Sequence, residues 1–182
     1  IDLFPEYIRN LPAHKLALWD VVGRALCSER VRDSIVGKLA PALEKRFGAG
    51  FRGVGMYPIP ILTRDIPGYR INPHTDIHWK GITVQLYLPE DASNADVGTI
   101  FHEVLPDGSL RKAAQMRFAP NSGYAFAVSD DSWHSADVVH ERIRTRDSIL
   151  LTYFVDRGIV RILRNRGKRI GNFFLNELRQ RF

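Results

Sequence analysis

The hydrophobic pattern has two textures. Up to about residue 50 it is helical. Leu16, Leu18, Trp19 and Val22 stand at mixed helical spacing and predict a helix within 1–27. Val31, Ile35, Leu39, Leu43 and Phe47 then recur every four residues, an amphipathic stripe that predicts a helix laid on a sheet. Ser28 is placed to cap that helix, Pro41 to kink it, and Gly48 and Gly50 to end it.

From Phe51 the period changes. Gly53, Gly55, Pro58, Pro60, Pro67 and Gly68 cut the chain into short apolar pieces, which predicts short strands and turns. Ile82 to Leu88 alternates cleanly, with Ile82, Val84, Leu86 and Leu88 on one side and Thr83, Gln85 and Tyr87 on the other. Thr99 to Val104 predicts a short strand followed by a turn at Pro106-Asp107-Gly108. Gly123 to Val128 sets Tyr124, Phe126 and Val128 against small alanines. Ser148 to Val155 is the most apolar strand, yet Arg146, Ser148 and Thr152 form a polar stripe along one face of it. Short strands after a helical start predict a mostly β barrel or sandwich with helices packed on its outside.

At 182 residues a single domain is expected. It divides into helical support over 1–50, a β core over 51–156 and a tail over 157–182. The net charge of +6 sits in that tail, where eight Lys/Arg against one acidic residue give +7 and leave −1 for the rest. Ile170, Phe173, Phe174 and Leu178 predict a basic C-terminal helix closing on the core, with a homodimer through it left open. The tail lacks the aromatic–basic interleaving of strand binders, so nucleic acid is not an expected partner. No apolar run reaches the length of a membrane span. The one cysteine, Cys27, excludes an internal disulfide and a thiolate metal site, which fits a reducing, cytoplasmic setting. The chain opens Ile1-Asp2-Leu3-Phe4 without an initiator methionine, as a piece of a longer protein would.

The candidate chemistry lies in Tyr69-Arg70-Ile71-Asn72-Pro73-His74-Thr75-Asp76. Read as the end of a strand, it points His74 and Asp76 the same way. One imidazole and one carboxylate are two thirds of a two-histidine, one-carboxylate ferrous site. His78 lies about 13 Å further along an extended strand, too far for metal bonds of about 2 Å. The third ligand must come from elsewhere, and His134 in Ser132-Trp133-His134-Ser135 is the candidate. Twelve residues on, Arg146-Asp147-Ser148 offers a guanidinium whose planar fork suits a carboxylate. Arg142 and Arg144 are rivals for that role.

These pieces together resemble the double-stranded β-helix of the Fe(II)- and 2-oxoglutarate-dependent dioxygenases, in their prolyl-4-hydroxylase-like branch. The resemblance runs from about Ile59 to Val155. It rests on Gly68-Tyr69 ahead of Pro73-His74-Thr75-Asp76, Ile82 to Leu88, Gly98, Phe118-Ala119-Pro120-Asn121-Ser122-Gly123, Trp133-His134, and Arg146 to Phe154, in that order. It implies that His74, Asp76 and His134 bind iron. It implies that Arg146, helped by Ser148, holds the far carboxylate of 2-oxoglutarate, with Tyr87 donating to the same carboxylate. Thr83 and Gln85 share the polar side with Tyr87, and Tyr69 is a further pocket candidate. The implied reaction uses dioxygen and 2-oxoglutarate to hydroxylate an unactivated C–H of a small molecule or of a peptide or saccharide side group. Asp76 favours hydroxylation over halogenation, because halogenating relatives lack this carboxylate. The spacing of twelve residues between His134 and Arg146 is longer than is common in the family, and Val97-Gly98 replaces two glycines.

Blander readings stand beside this one. The same barrel can serve as an inactive, cupin-like metal- or ligand-binding module. His102 reads as a core or pocket residue, His14 and His140 as surface residues, His78 as a residue bordering the substrate opening, Trp133 as packing beside His134, and Lys80 as a solvated loop charge.

Overall fold

The computed structural model describes residues 1–156. The expected basic helix beyond them lies outside the described residues. Four helices come first: α1 (Pro5–Ile8), α2 (Ala13–Leu26), α3 (Glu29–Lys38) and α4 (Ala40–Phe47). The stripe predicted as one kinked helix is two. Leu39 closes α3 and opens α4 (φ −96°, ψ 8°), and Pro41 sits in the first turn of α4, where a missing N–H breaks no helical bond. Ser28 caps α3 as expected, its Oγ accepting from the Val31 N–H at 3.3 Å. Gly48, at φ +79°, ends α4 in a conformation that favours glycine.

Eight strands follow: β1 (Met56–Asp65), β2 (Ile71–His74), β3 (Lys80–Tyr87), β4 (Ile100–Val104), β5 (Leu110–Gln115), β6 (Gly123–Ala127), β7 (His134–Ala136) and β8 (Arg146–Val155). They form two antiparallel four-stranded sheets, β1-β8-β3-β6 and β2-β7-β4-β5. The molecule is therefore mostly β. The two sheets are separate, and no strand pairing among the described residues closes them into a barrel.

Alternation decides what each face of the first sheet meets. Ile82, Val84, Leu151 and Tyr153 join Leu43 and Phe51 in a buried cluster, with Val31, Ile35, Leu39 and Phe47 of the helical stripe packed on it. Each fully buried apolar side chain contributes roughly 1.5–3 kcal/mol relative to exposure. Leu16, Trp19 and Val22 pack on a second cluster of Leu3, Ile8 and Ile149, whereas Leu18 is exposed. The opposite face carries Thr83, Gln85, Ser148 and Thr152 and belongs to the interior shared with the second sheet.

Two strands depart from the sequence expectation. β1 runs unbroken through Pro58 and Pro60, because it is an edge strand. The Pro60 carbonyl accepts the Leu3 N–H at 2.8 Å on the outer side, so these alternate residues point their missing donors away from β8. Residues 1–3 thereby cover the edge, with Leu62 N–H donating to the Ile1 carbonyl. β5, carrying Arg111, Lys112 and two alanines, has no alternation to betray it. It forms as the exposed partner of β4 across a turn with Gly108 at φ +81°.

Candidate metal centre

The last residue of β2 and the first of β7 are direct partners in the ladder: His74 faces His134. Their ring centroids lie 4.3 Å apart. Each imidazole turns Nδ1 to a carbonyl two residues earlier, His74 to Asn72 and His134 to Ser132, both at 3.0 Å. A proton on Nδ1 donated to that carbonyl leaves Nε2 with its lone pair, the arrangement of a metal-ligating histidine.

Asp76 lies beyond the end of β2 and completes the group. Its Oδ2 accepts from Thr83 Oγ1 at 2.6 Å and its Oδ1 from Lys80 Nζ at 2.5 Å. Lys80 is thus not a solvated loop charge. It opens β3 and pairs with this carboxylate, because the turn at 75–79 brings the start of β3 back beside Asp76. One ligand atom each from His74, Asp76 and His134 fall within 4.8 Å of one another. Two ligand atoms on one ion stand no more than about 4 Å apart, so the group lies near coordinating separation.

The electrostatics suit a divalent ion. Burial alone would raise the Asp76 carboxyl, but hydrogen bonds from Lys80 and Thr83 and the Lys80 charge outweigh it, and the group sits below its ordinary range. The His134 imidazole is lowered, chiefly by burial. Both shifts favour the unprotonated, metal-binding forms. Phe126 packs on His134 with ring centroids 5.0 Å apart, and Phe101 at 6.4 Å, giving the buried ligand an aromatic wall.

The three residues open onto a cavity of about 150 Å³ between the sheets. Arg146 is on its wall, nearly buried, with Thr63, Asp65, Tyr69, Thr83, Gln85 and Tyr124. Of the three candidate arginines, Arg142 is exposed and paired with Asp96, and Arg144 is exposed, so only Arg146 reaches this space. Its guanidinium is already engaged. Nε donates to Asp65 Oδ2 at 3.0 Å, Nη2 stands 3.0 Å from the same oxygen as an ion pair, and Nη1 donates to the Val97 carbonyl at 2.8 Å.

Ser148 is fully buried behind the wall. Its Oγ meets Thr63 Oγ1 at 2.7 Å and accepts from Gln85 Nε2 at 2.7 Å, so it orients two residues that do line the cavity. Tyr87 does not line it. Its ring packs among Val97, Phe118, Val139 and Ile143, and its hydroxyl accepts the Thr99 N–H at 2.8 Å. The register reverses which tyrosine faces inward: Tyr124 stands opposite Gln85 and donates to its Oε1 at 2.6 Å. Burial raises the Tyr124 phenol well above its ordinary value, so it is a neutral donor. Tyr69 stands at the cavity mouth, partly exposed, its phenol raised by burial and by Asp65.

Sequence reasoning passed over Asp65 and Tyr124. The alternation of Tyr124 with Phe126 was a usable signal for the second; nothing local marks the first. The other histidines stay apart from the group. His102 meets Ser135 Oγ at 2.7 Å, His78 is exposed with Asp130 at 3.6 Å, and His14 and His140 are exposed.

No protein-family model matches the chain, and no curated protein does. Among solved structures, the fold is similar to a Pseudomonas putida prolyl-4-hydroxylase, at 19% identity and a TM-score of 0.44, over 72% of this chain and 68% of that one. It is also similar to a Bacillus endospore appendage protein of disulfide-linked pili, at 13% identity and a TM-score of 0.35, over 56% of this chain and 89% of that one. Likenesses this distant assign neither a fold family nor an activity. No helix among the described residues is long and apolar enough to cross a membrane.

Proposed function

We propose that this chain is an Fe(II)- and 2-oxoglutarate-dependent dioxygenase acting on a small molecule or an exposed side group. The observation that carries the reading is the convergence of His74, Asp76 and His134 within 4.8 Å, from sequence positions sixty residues apart. The strand order supports the corresponding fold. Successive strands pass from one sheet to the other at every step except the β4–β5 hairpin, as in a jelly roll built of two four-stranded sheets.

Two histidines and one carboxylate with open positions suit ferrous iron. Iron with 2-oxoglutarate supplies the oxidation by dioxygen that side chains cannot perform. The protein residues do the rest. The Asn72 and Ser132 carbonyls fix the two imidazoles, and Thr83 and Lys80 hold Asp76 ionised. Arg146 offers donors to a carboxylate on the same cavity, and Gln85 and Tyr124 add neutral polar groups. Phe101 and Phe126 pack beside the His134 ring.

Anaerobic titration with Fe(II) and 2-oxoglutarate tests this. The expected result is one iron per chain, a weak visible charge-transfer band, and succinate release on admitting dioxygen. Absence of iron binding would end the reading. A second reading, a metal-binding module without the cosubstrate, is favoured by one observation: Arg146 already has a carboxylate partner in Asp65. Iron binding without the band or succinate selects it.

A further inference from the structure

Consecutive cross-strand pairs on β1 and β8 carry opposite signs on opposite faces. Arg64 faces Asp147 and Asp65 faces Arg146 in the register. The first pair lies on the outer side, where Arg64 is two-thirds exposed and bonds Asp147 through Nε and Nη2 at 2.9 and 2.7 Å. The second turns into the cavity, with side-chain exposures of 4% for Arg146 and 15% for Asp65. Lys80 and Arg146 are the lysine and arginine on the cavity wall, and each is matched by an aspartate there, Asp76 and Asp65. These four groups sum to zero formal charge.

From this arrangement we infer that Asp65 is an internal counter-anion that opposes binding of any dicarboxylate at Arg146, and so sets the affinity and charge selectivity of the cavity. Arg146 has five N–H donors, of which Nε–H goes to Asp65 and one on Nη1 to Val97, while Nη2 stands 3.0 Å from the same Asp65 oxygen as an ion pair. An incoming carboxylate has two routes. It displaces Asp65, leaving a desolvated carboxylate without its partner. Otherwise it takes the remaining N–H groups and sits beside a like charge in a half-dry site, where screening is weak. Both routes make Asp65 unfavourable to the ligand. Removing its charge leaves at most a weaker, neutral acceptor beside the guanidinium and no like charge beside the ligand, and charge-assisted hydrogen bonds of this kind correspond to about tenfold or more in affinity. The identity of the cosubstrate rests on the function proposed above; the antagonism between Asp65 and an anion does not.

The test compares wild type with Asp65→Asn, whose carboxamide oxygen still accepts from Arg146. Asp65→Ser is a second neutral variant should the first fold poorly, and Asp65→Glu keeps the charge. Glutarate is titrated by calorimetry into the metal-free protein, and 2-oxoglutarate into the anaerobic Fe(II)-loaded protein. The expected result is glutarate bound about tenfold or more tighter by the neutral variants, with Asp65→Glu close to wild type. Equal glutarate affinity in wild type and the neutral variants, or no binding by either, overturns the inference. Tightening in Asp65→Glu as well also overturns it, since packing and not charge would then be responsible. If the neutral variants tighten glutarate but no variant gives the 2-oxoglutarate band with iron, the inference stands and the dioxygenase reading falls.

Discussion

His74 and His134 oppose each other directly across the β2–β7 ladder, ring centroids 4.3 Å apart, each anchored through Nδ1 to the carbonyl two residues before it. Two of the three candidate ligands thus rest on one ladder contact. Replacing His134 by Ala removes one of the three proposed ligands, and anaerobic Fe(II) or Co(II) affinity should fall at least about 100-fold, beyond what loss of an outer-shell partner causes. Titration of wild type and variant side by side checks this; equal affinities would show that the metal binds elsewhere.

Thr83 holds Asp76 Oδ2 at 2.6 Å from a nearly fully buried position on β3. Thr83→Val keeps the shape and removes the donor. The expected outcome is a metal affinity lowered about 10- to 100-fold, with one ion per chain still bound at saturation. An unchanged affinity would mean that Lys80 alone orients the carboxylate.

Tyr153 is fully buried in the cluster between the first sheet and the helices, and its hydroxyl has no hydrogen-bond partner among the described residues. A buried hydroxyl without a partner is costly, so Tyr153→Phe should raise stability by about 1 kcal/mol at neutral pH, read from urea unfolding. Burial, with a smaller contribution from Cys27, pushes the phenol up from 10.0 to about 12. A folded-state pKa raised above the unfolded one favours the fold fully below pH 10, and that contribution is lost as pH rises through about 12. Wild type should therefore lose stability over this interval more steeply than Tyr153→Phe. Parallel curves would contradict the assignment.

Gly98 stands between Val97, whose carbonyl accepts from Arg146, and Thr99, whose hydroxyl bonds Gln85. A Cβ there would lie 1.9 Å from the Met116 carbonyl oxygen. Gly98→Ala must shift backbone against backbone, and a destabilisation of about 1–3 kcal/mol is expected, with weaker anion binding at Arg146 because the Val97 acceptor moves. Thermal melting and glutarate titration measure the two effects.

Much of the scaffold is legible in the sequence. The four-residue stripe named the helical residues that pack on the sheet, because helical period reports burial directly. Alternation along 82–88 separated Ile82 and Val84, on the helix side, from Thr83 and Gln85, on the cavity side. His74-x-Asp76 proposed its own chemistry. The continuity of β1 was hidden, since prolines read as breakers until their edge position is known. β5 was hidden too, since its charges and alanines show no buried face. Tyr87 was expected in the cavity by alternation, but the end of β3 passes into the cluster around Phe118, and Tyr124 from β6 takes the inward place.

Periodicity along one strand tells which side chains share a face, and by itself the sequence of this protein determined that much: a helical layer, a polar inward stripe, and a histidine–carboxylate pair. It carries no record of which strands become neighbours or in what register, because those follow from pairing between distant segments. Only the tertiary structure therefore decided that His134 stands against His74, and that Asp65, unremarkable in its own stretch, faces Arg146.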